Sequence, residues 1–202
     1  MLHHETVPAH TLELLKLISP RLGELGFYLA GETALALRFG HRISVDLDFF
    51  NSSQFDPPQL VDELKALSGK SSNITQQSKG SIALSHQDTK LEFLQYDAPF
   101  LEPIEEIDEI PFASLSDNIA MKLSALVGRG SKKDFIDIAT LLETIDLNKM
   151  LEWYSTKFPN SDQFLVLKSL TWFDDAEQEP DPVFLKSQNW EQVKKAIQQA
   201  TN

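Results

Sequence analysis

The chain has 202 residues, 42% of them hydrophobic, no cysteine and a formal net charge of −12. That apolar content supports a packed core, and the lack of cysteine excludes disulfides, thiolate metal sites and a cysteine nucleophile. Thirty acidic residues against eighteen basic ones argue against broad binding along duplex DNA, which relies on Lys and Arg neutralising phosphates. A nucleic-acid end entering one local basic cleft stays compatible.

In chain order, Leu12, Leu15, Ile18, Leu22 and Leu25 recur at helical spacing and predict an amphipathic helix over about 9–25, ended by Gly26. Phe27 to Ala30 reads as a short apolar strand, Gly31 as a turn, and Thr33 to Phe39 as a brief helix stopped by Gly40. The next segment alternates, with Val45, Leu47 and Phe49 on one face and Asp46, Asp48 and Phe50 on the other. Asp56 before Pro57 and Pro58 starts a helix striped by Leu60, Leu64 and Leu67, with Gly69 as its stop. Strands are expected over 80–86 and 89–96, joined near Gln87 and Asp88. The acidic run Glu102 to Glu109 reads as a solvated face.

Beyond it the chain turns helical. Ser116 is expected to cap a helix through Lys122 to Val127, Gly128-Arg129-Gly130 to break it, and Ser131 to open another carrying Phe135, Ile138, Leu142 and Ile145. Further helices are expected near 148–158 and 162–173 and around Trp190. The fold class is therefore α+β: a small mixed sheet flanked by helices over 1–112, then a helical part over 113–202 packed on it. No apolar run approaches the ~20 residues of a spanning helix, and the first ten residues lack the regions of a signal peptide, so a cytoplasmic location without membrane attachment is expected.

The segment richest in chemistry runs from Leu29 to Phe50. Two aspartates two positions apart on a strand share a face, so Asp46 and Asp48 can reach one hard cation such as Mg²⁺, with triphosphate oxygens and water as remaining ligands. Upstream, the Gly31-x-Thr33 turn at a helix start offers backbone amides and a hydroxyl to phosphate. Glu92 completes a three-acid cluster if its strand lies beside the aspartates; the competing reading is a surface carboxylate paired to a lysine. Lys122, Arg129, Lys132, Lys133, Asp134 and Asp137 gather positive charge of the kind a triphosphate needs. On spacing alone, Lys133 and Asp137 read better as an i,i+4 helix-face pair. His3, His4 and His10 fall in an N-terminus expected to be mobile, His41 and His86 stand isolated, and Trp153, Trp172 and Trp190 read as core or interface. Phe50, beside the acids, is in reach of a base.

These residues resemble a known family. Gly31-x-Thr33-Ala-Leu-Ala-Leu-Arg38, then Gly40-His-Arg42-x-Ser-x-Asp46-x-Asp48-Phe-Phe50, is similar to the first motif of the AbiEii/AbiGii-type toxin nucleotidyltransferases. Lys122-Leu-Ser-Ala-Leu-x-x-Arg129 followed by Lys133-Asp134-Phe-Ile-Asp137 resembles a second, and Leu170-Thr-Trp-Phe-Asp174-Asp175-Ala-Glu177 a C-terminal signature of one branch. The resemblance implies a polymerase-β-like nucleotidyltransferase fold and Mg²⁺- or Mn²⁺-dependent transfer of a nucleotide from NTP, with RNA or tRNA ends as acceptor and a separate antitoxin as partner. Carried over by position, it implies Asp46, Asp48 and Glu92 as metal ligands and catalytic acids, with Lys122 and Asp134 in the catalytic set. Gly31, Thr33, Arg42, Lys122, Arg129 and Lys133 become the nucleotide-binding set.

Two departures stand out. The family's second small residue after Gly31 is here Glu32, whose side chain crowds the approach to phosphate and whose charge opposes the anion. The third acid is Glu rather than Asp. These leave open a catalytically weak or inactive binding module working through a partner protein, or a transferase acting on a small molecule or a protein hydroxyl.

Overall fold

The computed structural model describes all 202 residues. Its centre is a seven-stranded mixed sheet in the order β3-β4-β5-β2-β1-β7-β6. The strands are β1 (Phe27–Ala30), β2 (Leu47–Asn51), β3 (Asn73–Ser78), β4 (Ser81–His86), β5 (Thr89–Gln95), β6 (Glu105–Ile107) and β7 (Ile110–Phe112). β1 pairs antiparallel with β2 and parallel with β7, and β2 pairs parallel with β5. α1 (Ala9–Glu24) and α3 (Pro57–Ser68) cover one face, packing on Phe27, Leu29, Phe49, Leu91, Phe93 and Phe112. The residues between these, including Tyr28, Ala30, Asp48, Phe50 and Glu92, point to the opposite face by strand alternation.

That opposite face meets the helical half. α4 (Leu115–Gly128), α5 (Lys132–Leu142), α6 (Leu147–Lys157), α7 (Gln163–Leu170), the single turn α8 (Asp174–Glu177) and α9 (Trp190–Thr201) share a second core around Phe135, Ile138, Met150, Tyr154, Val193 and Ile197. α2 (Gly31–Phe39) joins the two cores, since Ala34 and Leu37 pack with the sheet and Leu35 with the helices. No helix is long and apolar enough to cross a membrane.

Several expectations need correction. α2 starts at Gly31 rather than Thr33, straight off β1. Ser114, not Ser116, caps α4: its hydroxyl accepts from the Asp117 amide. β3 is exposed along its whole length and polar apart from Ile74, so it offers no alternation to read. The acidic run is a hairpin, β6–β7, turned by Asp108 and Glu109 at φ of 52° and 61°. Ile107 beds partly into the sheet core, with Ile110 buried beside it, while Glu106 and the two turn acids face outward and Glu105 pairs with Arg38 at 3.0 Å. The N-terminus is packed rather than mobile: Leu2 and Val7 are buried, and the His3 amide donates to Leu37 O at 2.7 Å.

Candidate active site

β2 begins at Leu47, so Asp46 lies one residue ahead of the strand and Val45 is exposed rather than facing the core. What fixes Asp46 is Thr33. Its buried hydroxyl bonds Ser44 Oγ at 2.7 Å and donates to the backbone oxygen of Asp46. The Ser44 amide in turn donates to Thr6 O at 2.8 Å. Thr33 is thus spent inside the protein, and the expectation that its hydroxyl faces phosphate is corrected.

Asp48 and Glu92 are register partners across the β2–β5 ladder. A Cβ built on Gly31, whose φ is +75°, would lie 3.0 Å from Asp48 Oδ2, so the glycine bend and the aspartate abut. The Gly31 amide donates to Asn118 Oδ1 at 2.8 Å, and Asn118 Nδ2 donates back to Gly31 O at 3.3 Å. That amide is therefore occupied. The next first-turn donors of α2, at Glu32 and Thr33, have no side-chain cap, because the N-cap residue is Ala30.

Neither the Asp46 nor the Asp48 carboxylate takes part in a hydrogen bond or ion pair within the chain, whereas Glu92 pairs with Lys90 at 2.5 Å. Burial, and then Glu92, Glu32 and Asp46, push the Asp48 carboxyl up to about 7. Burial raises Asp46 as well, opposed by Lys90. No group of three or more Asp, Glu, His or Cys side chains is drawn to metal-holding distance. The expected three-acid convergence is instead a facing pair with Asp46 beside it, and carboxylate repulsion favours that spread. The donor set is hard oxygen throughout and the two aspartates have no protein cation satisfying them, which fits Mg²⁺ or Mn²⁺.

Between the sheet and α4 lies a cleft of about 290 Å³. Gly31, Glu32, Asp48 and Glu92 form its acidic side, Lys122 and Arg129 its basic side, and Phe50, Leu94, Tyr96 and Met121 its apolar wall. Phe50 and Tyr96 meet edge to face at 5.5 Å.

Behind the cleft is a buried charge network that includes Arg42 and Lys122, both expected to bind nucleotide. Arg42 is fully buried and forks onto Asp137 (Nε to Oδ1 2.7 Å, Nη2 to Oδ2 3.0 Å), with Nη2 also reaching Glu32 Oε2 at 3.2 Å and Nη1 donating to Ile43 O at 3.1 Å. With these donors committed, Arg42 is not a nucleotide contact. His41 joins the network through Asp137 Oδ1 at 2.8 Å. Lys122 is buried between Asp137 at 2.6 Å and Asp134 at 3.1 Å. Burial works against its charge, yet Asp137 and Asp134 hold it above the ordinary lysine value. Asp134 is fully buried and accepts from Lys122, Arg129 and Ser131, the last as a capping box of α5. It positions Arg129 and cannot itself touch a substrate, which corrects the catalytic role expected for it. Lys122 forms floor rather than a free triphosphate contact.

Arg129 and Lys133 remain outward. Arg129 uses Nε and Nη2 on Asp134 while its side chain is 58% exposed. Lys133 sits 3.5 Å from Glu32 Oε1 and is not paired to Asp137, so the helix-face reading is overturned. Glu32 is held between Arg42 and Lys133, which answers its charge from two sides. Asn118 is a site-shaping residue that the sequence did not single out, and Lys90 turns out to be the lysine that pairs with Glu92. Lys90 sits two places from Glu92 on the same strand face, and that spacing was the available signal.

Comparison with known proteins bears on the family and the fold. A family model described as "Nucleotidyl transferase AbiEii toxin, Type IV TA system" matches residues 13–202. An uncharacterised protein of Aquifex aeolicus (strain VF5) is 36% identical over 159 residues, 76% of either chain. Among solved structures, a putative nucleotidyltransferase from H. pylori superposes with a TM-score of 0.62 at 21% identity, covering 96% of both chains. MenT4, a nucleotidyltransferase toxin from Mycobacterium tuberculosis H37Rv, gives 0.62 at 18% identity, over 96% of this chain and 86% of its own. At such identities these likenesses speak for the fold alone.

Proposed function

Because the chain belongs to the AbiEii nucleotidyl transferase toxin family, we propose that it moves a nucleotide from a metal-bound NTP to an acceptor hydroxyl on RNA, with a cognate antitoxin as its partner. The observation that carries this reading is the register pairing of Asp48 with Glu92 beside the Gly31 bend. Asp46, Asp48 and Glu92 would hold a divalent ion, which when bound supplies positive charge against the triphosphate and the leaving pyrophosphate.

The chain's own groups do the rest. The start of α2 offers backbone amides to phosphate, with the helix dipole in the favourable sense. Arg129 and Lys133, both outward-facing, balance the phosphate charge that a metal leaves uncompensated. Asp134 keeps the Arg129 guanidinium aimed, which saves ordering it at the moment of reaction. The wall of Phe50, Leu94 and Tyr96 suits the flat apolar face of a base and keeps water from one side of the reacting phosphate.

The test is incubation with each labelled NTP, Mg²⁺ and total RNA. Label should enter RNA with the native protein and fall by roughly 10³-fold or more in the Asp46→Ala, Asp48→Ala double variant. Undiminished transfer by that double variant would overturn the reading.

A further inference from the structure

A second hollow, about 430 Å³, opens between the C-terminal end of α4 and the α7–α8 segment. It shares Arg129 with the cleft described above. Its other lining includes Lys168, Leu165 and Trp172. Trp172 was expected in a core or interface, yet it is 55% exposed, and Leu165 beside it is 48% exposed. Lys168 forms no ion pair through its side chain, in a protein where most basic residues do. Asp175 is the one acid on the lining. An exposed indole flanked by two cations, in a chain of net charge −12, is a local reversal of the surface character.

The chemistry that matches this arrangement is an unpaired nucleotide. Every base has a π-face that stacks on an aromatic side chain, and the adjoining phosphates want Arg and Lys. Continuity with the cleft through Arg129 puts such a nucleotide next to the reacting end of the same strand. We propose that this groove seats an unpaired nucleotide of the acceptor, its base on Trp172 and its phosphate between Arg129 and Lys168. The proposal rests on the transferase reading and adds a subsite to it: single-stranded rather than duplex RNA enters, and Trp172 is a binding residue for it.

Trp172 is the most exposed of the three tryptophans, since Trp190 is buried and Trp153 partly buried. Quenching of its fluorescence therefore reports on the groove. The experiment titrates the full chain with a mixed-sequence single-stranded oligoribonucleotide and with the corresponding duplex. In parallel, Mn²⁺ plus NTP is read by thermal shift. The single strand should quench native fluorescence and the duplex should not. Trp172→Ala should weaken single-strand binding, followed by electrophoretic mobility, about 5- to 100-fold. Trp172→Phe should recover much of that loss, and Lys168→Glu should weaken binding with a shallower salt dependence. All three variants should keep the native Mn²⁺–NTP thermal shift, which separates this subsite from the metal site.

Equal binding of RNA by native and Trp172→Ala protein would overturn the proposal, as would equal quenching by single strand and duplex. A Trp172 signal silent to RNA but responsive to a partner protein would assign the groove to protein docking and overturn it too. Loss of the Mn²⁺–NTP shift in the native protein would strike the transferase reading instead.

Discussion

Asp48 of β2 faces Glu92 of β5 across a parallel ladder, and its Oδ2 lies 3.0 Å from where a Gly31 side chain would begin. One carboxylate is therefore confined by a glycine bend on one side and a second acid on the other. No donor within the chain satisfies it. An arrangement this costly in electrostatic terms marks the pair as a candidate functional site.

Gly31→Ala tests the confinement. An L-residue at φ of +75° costs on the order of 1–3 kcal/mol, and the new methyl displaces Asp48 Oδ2. The expected result is a melting temperature lower by roughly 2–10 °C with label transfer reduced about 100-fold. Calorimetry and the transfer assay read the two effects separately.

The pH dependence of stability follows from Asp48. Its carboxyl sits at about 7 in the folded chain against an ordinary 3.8, so the folded state holds this proton more tightly than the unfolded state. Its contribution to stability is complete below about pH 4 and is lost as pH rises through 7. Asp48→Asn removes that loss. At pH 8 the variant should be more stable than native by on the order of 1–2 kcal/mol, and near pH 4 the two should converge. Urea denaturation at the two pH values measures the difference.

Arg42→Met tests the buried network. It leaves Asp137 short of its two-pronged partner and Glu32 with only Lys133. Removing one member of a buried ion set costs about 3–5 kcal/mol. The expected outcome is a large drop in denaturation midpoint, whereas a nucleotide contact would have raised KM for NTP with stability unchanged.

Arg129→Ala and Asp134→Asn should rank in a defined order. Losing Arg129 removes a direct phosphate charge, and KM for NTP should rise roughly 10- to 100-fold. Asp134→Asn leaves Arg129 charged but less firmly aimed, so its KM rises less, while stability falls because Lys122 and Arg129 lose a buried partner. Steady-state kinetics beside a melting curve resolves the two.

The sheet around Asp48 was legible because Leu47, Phe49, Leu91 and Phe93 are interleaved with Asp46, Asp48, Lys90 and Glu92, the pattern of a sheet with one apolar face. β3 was not, since Asn73 to Ser78 is exposed on both faces. The 105–112 hairpin was masked by its acids, of which Glu106, Asp108 and Glu109 stay outside while Ile107 and Ile110 turn inward. At the site, strand alternation put Asp48 and Glu92 each on a definite face, whereas Arg129 was assigned to nucleotide only through the family resemblance. Thr33, Arg42 and Asp134 sit within motif positions yet serve by buried hydrogen bonds to other motif residues, such as Thr33 to Ser44 and Arg42 to Asp137. Sequence spacing locates such residues without telling which way their side chains turn. Trp172 shows the converse, an aromatic in a helical pattern that the fold leaves exposed.

Manganese binding in the presence of NTP, followed by electron paramagnetic resonance, addresses the pairing of Asp48 and Glu92 most directly. Native protein should take up Mn²⁺ with NTP, Asp48→Asn should abolish the uptake, and Glu92→Gln should weaken it roughly 10- to 100-fold. Uptake by the Asp48→Asn, Glu92→Gln double variant equal to that of the native chain would contradict the account.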